Sequence, residues 1–152
     1  MSSHRQAIAA SFDTRAESYE RNDWHRRCAE RLVALCRLAP ASNVLDACTG
    51  TGFAALAAAR AVGPEGRVLR VDISPGMLKR AEAAVRASGF TNVNLLEADV
   101  VDLRQFESGT LDAITCAAGL LYLPAAPTKN DEPDDGRNRH HGSSASRRKP
   151  RE

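Results

Sequence analysis

The residues of this chain with the clearest chemical potential gather in one stretch, Val44 to Leu56, which reads VLDACTGTGFAAL. Gly50 and Gly52 allow a sharp turn and let a ligand approach the backbone without a Cβ in the way. The helix start that follows offers free N–H groups, as a nucleotide-containing cofactor requires. Gly50, Gly52 and Ala55, with Asp72 about 20 residues on, also fit the dinucleotide fingerprint G-x-G-x-x-G/A, so an NAD-dependent oxidoreductase is one reading of these residues. Asp46 argues against it: a carboxylate stands inside the strand, where a dinucleotide-binding strand is normally apolar, and it would face a cation. A purely structural role is the alternative for both carboxylates. Asp46 would then cap the turn by accepting backbone N–H bonds, and Asp72 would do the same for a helix starting at Pro75.

These residues need elements to hold them, and the hydrophobic pattern marks those out. Cys28, Leu32, Leu35 and Ala39 recur at helical spacing and predict an amphipathic helix from Thr14 to Leu38, ended by Pro40. Val44 to Cys48, Arg67 to Asp72, Val93 to Ala98 and Leu111 to Cys116 are short segments rich in Val, Leu and Ile, and read as strands. Between the first two, FAALAAARAV is a helix closed by Gly63 and Pro64. Between the second and third, Ser74 caps a helix that begins at Pro75 and ends at Gly89, with Met77, Leu78, Ala81, Ala84 and Val85 on its apolar face. Asp99 to Thr110 is about the dozen residues that a parallel crossover minimally needs, which predicts a short helix or turn there. With right-handed crossovers the expected fold class is α/β, a Rossmann-like doubly wound parallel sheet that binds its ligand between the first and fourth strands, where strand order reverses.

Four segments in order, VLDACTGTG, RVLRVDISPGML, EADVVDL and LDAITCAAGLLYLP, resemble the successive motifs of the class I S-adenosylmethionine-dependent methyltransferases. FDTRAESYE is similar to the opening of the small-molecule branch of that family, which includes the ubiquinone and menaquinone methyltransferases. The resemblance runs from Phe12 to Pro124 and implies S-adenosylmethionine as cofactor and methyl transfer to a small-molecule acceptor. It implies that Asp46, Gly50, Thr51 and Gly52 form the first cofactor-binding motif, that Asp72 receives the ribose hydroxyls and that Met77 packs near the adenine. Asp99 would accept from the adenine amino group, the Val100 amide would lie near the ring and Ala117 beside the methionine portion. No catalytic residue is implied. One departure is Cys48, which stands where many members carry the first glycine of the turn. Another is extent: the family's sheet has seven strands, ordered 3-2-1-4-5-7-6, and this sequence supplies the first four. The resemblance therefore implies a C-terminally truncated domain with its cofactor half intact and its activity impaired.

The chain has 152 residues, 21 basic and 19 acidic, and its 43% hydrophobic and 26% charged residues exclude a wholly disordered or collagen-like protein. No stretch reaches the roughly 18 consecutive apolar residues of a membrane span. Residues 1–128 read as the partial methyltransferase domain. Residues 129–152 contain one hydrophobic residue, Ala145, and read as a disordered polar tail. The basic end SRRKPRE would merely be solvated, so no nucleic-acid partner is expected. Cys28, Cys36, Cys48 and Cys116 lack CxxC spacing and a nearby His pair, and predict buried reduced thiols and no metal. The N-terminus has no secretory apolar run and acquires Asp13, Glu17 and Glu20 early, which predicts a cytoplasmic chain. The apolar run Leu111 to Leu123 would leave the fourth strand with an unguarded edge, suited to self-association or to a partner. A non-catalytic protein that pairs through this edge is a further reading.

Overall fold

The computed structural model describes residues 3–104 and 109–124. The expected tail at 129–152 lies outside the described residues, as does part of the third connection, whose described residues form turns. The N-terminal region departs from the sequence expectation. Instead of one helix from Thr14 to Leu38 there are two, α1 (Ser3–Glu20) and α2 (Asp23–Cys36). Asn22 separates them: its backbone is extended and its side chain accepts the Trp24 N–H at 3.0 Å, satisfying one of the free donors of the new helix. α2 stops before Pro40, at Cys36, because Arg37 adopts a left-handed backbone with φ of 48°.

The remaining elements are β1 (Asn43–Ala47), α3 (Phe53–Val62), β2 (Arg67–Asp72), α4 (Pro75–Ser88), β3 (Val93–Glu97) and β4 (Ala113–Thr115), followed by a single 3₁₀ turn at Leu120–Tyr122. The strands are parallel and ordered β3-β2-β1-β4. Strand order therefore reverses between β1 and β4, as the sequence predicts. Both helix boundaries around the glycine-rich turn and the Ser74 cap also agree with it: Ser74 Oγ accepts the Met77 N–H at 3.1 Å, and Gly89 ends α4 with a left-handed backbone.

The core follows from register. Val44 pairs with Val68 and with Ala113, and Val68 pairs with Val93, so one row of small apolar side chains crosses the sheet. α3 covers that row with Ala54, Ala55, Ala58, Ala59 and Val62, whose small side chains let helix and sheet approach closely. α2 adds Ala29 and Val33 to the same cluster. This corrects the expected stripe: Leu35 and Cys28 are exposed because α2 turns Ala29 and Val33 to α3 instead. It also corrects the expectation of buried cysteines, since Cys28 and Cys36 are exposed and Cys48 and Cys116 half-buried, although all four are free thiols. Among the described residues no helix is long and apolar enough to cross a membrane.

Candidate functional site

The carboxyl ends of β1, β2 and β4 open into a cleft of about 510 Å³, within the range of small-molecule sites. Its floor includes Gly50, Asp72, Met77 and Ala117, and its roof is Ile8, Phe12 and Tyr19 of α1. Two smaller recesses adjoin it. One, of about 350 Å³, is lined by Asp46, Cys48 and Cys116 together with His25 and Cys28 of α2. The other, of about 30 Å³, brings Asp72, Asp99 and Val100 together beneath Arg5.

Asp72 is the acidic group at the centre. Its Oδ2 accepts the Gly50 N–H at 2.8 Å and its Oδ1 the Ser74 N–H at 3.0 Å, so it ties the glycine-rich turn to the start of α4. Burial pushes its pKa above the usual carboxylate value, while N–H groups of Gly50, Ser74 and Ile73 hold it back. A carboxylate has about four lone-pair positions, so these three N–H bonds leave room for a further donor from the cleft.

Asp46 takes the turn-holding role that the sequence offered beside the cation-facing one. It is buried, its Oδ2 accepts from the Thr49 hydroxyl at 2.7 Å, its Oδ1 accepts from Thr115 at 2.8 Å, and the Ala55 N–H adds a third bond. The carboxylate thus holds the turn and the start of α3, while lining the recess of about 350 Å³. Burial, only partly offset by these bonds, pushes it up to about 6. Gly52, with φ of 91°, also turns away from the cleft: a Cβ there would lie 3.2 Å from Ala81 Cβ, so its bareness serves the close approach of α4. Thr51 is buried with an unpartnered hydroxyl and lines none of the three recesses.

Asp99 follows β3 as the sequence predicts, but its carboxylate is paired with the Arg5 guanidinium of α1 and accepts the Val101 N–H at 3.2 Å. Sequence reasoning missed Arg5, because nothing local links a residue near the N-terminus to position 99. It missed His25 as well, which stacks on Tyr19 with 3.7 Å between ring centroids and has a buried Nδ1 without a partner. Tyr122, 44% exposed, packs edge-on against Phe12 at 4.9 Å and lines the cleft. The Tyr19 ring lies in the roof, and burial first, then Tyr122 and Asp72, raise its pKa. Among the described residues no group of three or more His, Cys, Asp or Glu could hold a metal ion.

The comparisons with known proteins agree with this geometry. Residues 44–130 match the family described as a methyltransferase domain. The chain is 36% identical over 100 residues to the demethylmenaquinone methyltransferase of Geobacillus kaustophilus (strain HTA426), covering 66% of this chain and 42% of that one. It is 35% identical over 132 residues to the 2-phytyl-1,4-naphtoquinone methyltransferase of Trichormus variabilis (strain ATCC 29413 / PCC 7937), covering 82% and 57% respectively. The chain spans about half the length of these curated relatives. A solved SAM dependent methyltransferase from Aquifex aeolicus superimposes with a TM-score of 0.52 at 27% identity, covering 58% of this chain and 46% of that one. The matched strands, the reversal between β1 and β4, and the cleft with Asp72 at that reversal agree with one assignment: this chain belongs to the methyltransferase-domain family, whose cofactor is S-adenosylmethionine.

Proposed function

We propose that this chain binds S-adenosylmethionine in the main cleft and serves methyl transfer to a small quinone-like acceptor. The observation that carries the reading is the position of Asp72, a half-buried carboxylate at the strand-order reversal that lines the cleft, with its two oxygens on the turn and the helix start and room left for a further donor. Such a group suits a pair of ribose hydroxyls. Met77 and Ala117 line the same cleft and supply apolar contact for the adenine and the methionine portion; Asp99 and Val100 suit the adenine edge. Gly50 leaves its side of the cleft bare, while Thr51, Gly52 and Asp46 act on the ligand through the turn they shape. The quinone-like acceptor rests on the names of the two relatives, and the aromatic roof of Phe12, Tyr19 and Tyr122 suits a flat apolar molecule.

When bound, the cofactor would supply an electrophilic methyl group on a sulfonium sulfur, with a neutral thioether as the leaving group opposite an attacking acceptor. The chain's part is alignment: a well-oriented pair of reactants gains far more than any single contact gives. No residue is assigned as a base. A cytoplasmic location belongs to the same reading. The NAD alternative, which the glycine spacing left open, is not favoured by the family match. Titration calorimetry of the full chain with S-adenosylmethionine, its demethylated product and NAD tests the proposal. Binding of the first two and none of NAD supports it; preference for NAD overturns it.

A further inference from the structure

The thiols of Cys48 and Cys116 have no part in that reading, yet the fold brings them together. Cys48 follows β1 and Cys116 follows β4, and the pairs Leu45 with Ile114 and Asp46 with Thr115 set those strand ends side by side. Continuing that register sets Ala47 opposite Cys116 and Cys48 one residue further on, so a strand spacing of about 4.8 Å and a rise of about 3.3 Å put the two Cα atoms roughly 6 Å apart, inside the 4.4–6.8 Å that a disulfide spans. The side chains converge, both sulfurs meeting the backbone of Gly119. The following loop is shaped around the pair: a Cβ on Gly119 would lie 2.8 Å from Cys48 Sγ and 3.0 Å from Cys116 Sγ, so a residue without a side chain is needed to pass over the two sulfurs. Both thiols are free and half-buried, and both line the recess of about 350 Å³. Cys48 lines the main cleft as well.

We propose that Cys48 and Cys116 form a reversible dithiol–disulfide site in the cleft wall, oxidised by small-molecule disulfides of the glutathione type. Cys116 is the attacking sulfur. The Cys48 thiol, then the N–H groups of Gly119 and Leu120, bring its pKa down to about 7 against burial and the charge of Asp46. Cys48 is pushed up by the same thiol contact, by burial and by Asp72 and Asp46, so the negative charge of the pair rests on Cys116. His25 and Cys28 of α2 face the pair across the recess.

In the first step the Cys116 thiolate attacks one sulfur of the disulfide; a protein–glutathione bond forms, the sulfur–sulfur bond of the reagent breaks, and one glutathione thiolate leaves and takes a proton. The thiolate beside Cys48 is then gone, and with it the main cause of the raised Cys48 pKa. Cys48 releases its proton to water and attacks the Cys116 sulfur, expelling the second glutathione. Two protein thiols are oxidised to one disulfide while one small disulfide is reduced to two thiols. The new bond ties the glycine-rich turn to the loop after β4.

The test treats the full chain with oxidised glutathione and maps its peptides by mass spectrometry. The expected product is a Cys48–Cys116 cross-link, reversed by dithiothreitol. Cys48→Ser should stop at a glutathione adduct on Cys116. In the untreated wild-type chain, alkylation of Cys116 should rise only about two-fold between pH 7 and pH 8, against nearly ten-fold for an unperturbed thiol. Peptide mapping of the wild-type chain stands even where the variant misfolds. A disulfide that forms instead through Cys28 or Cys36, glutathione found elsewhere than on Cys116, or a ten-fold rise for Cys116 overturns the proposal.

Discussion

At the scale of single residues, the two strand carboxylates do different work, and substitutions separate them. Asp72 is open to the cleft, and charge-assisted hydrogen bonds are each worth about 1.5–3 kcal/mol. Asp72→Ala should therefore weaken binding of the demethylated cofactor by roughly ten-fold or more, read by calorimetry. Unchanged affinity would remove the ribose assignment. Asp46 is buried, with both oxygens on protein donors. Its pKa in the fold is about 6 against an ordinary 3.8, so the fold favours its protonated form. That contribution is fully present below the ordinary value and is lost as the pH rises through about 6, a change on the order of 3 kcal/mol. Asp46→Asn keeps an oxygen acceptor without a charge, so it should gain stability relative to wild type as the pH goes from 4.5 to 8. Denaturant melts of both proteins across that range check it, and a difference that does not move with pH would show that the buried charge is not the cause.

Among the elements, α1 is the one held mainly by polar contacts, and it roofs the cleft. Only Ala9 and Ala16 of its side chains are buried. Asp13 replaces the missing apolar contact: its Oδ1 accepts from Ser74 Oγ at 2.6 Å and from the Gly76 N–H at 2.8 Å, so α1 caps the start of α4. The Arg80–Glu20 ion pair fastens the other end, but half-exposed pairs contribute little. Asp13→Ala should cost about 1–2 kcal/mol and speed hydrogen exchange throughout α1, while α3 and its strands keep their protection. Equal acceleration in α3 would mean that the roof and the core open as one unit.

For the whole molecule, β4 lies at the edge of the described sheet, and its surroundings are apolar: Ile114 is 62% exposed, Leu120 67% and Leu121 86%. An edge with apolar side chains and no guarding charge is a template for pairing with another chain. Sedimentation of the full chain should show concentration-dependent self-association, reduced by Ile114→Lys; a monomer at all concentrations contradicts it. Residues 129–152, with Ala145 their sole hydrophobic residue, offer almost nothing to bury. A chain ending at Thr128 should melt within a degree or two of the full chain.

What was legible in the sequence is local or periodic. The Ser74 cap, the alanine helix ended by Gly63, the four strands and the reversal between the first and fourth each follow from a short pattern whose physics does not depend on distant residues. Asp72 was legible for the same reason, since it stands at a strand end beside a cap. Only the tertiary structure decided what Asp46 faces, because that depends on Thr115, which lies 69 residues on in the chain and is brought next to it by the parallel β1–β4 pairing. The break at Asn22 belongs there too: helical periodicity continues across it, while one side-chain bond to Trp24 restarts the helix and lets α1 turn back over α4. The meeting of Cys48 with Cys116, and of Arg5 with Asp99, has the same origin. Sequence spacing sets the direction of a side chain on its own element, but the partner it meets is set by strand order and helix docking, which sum many weak contacts across the fold.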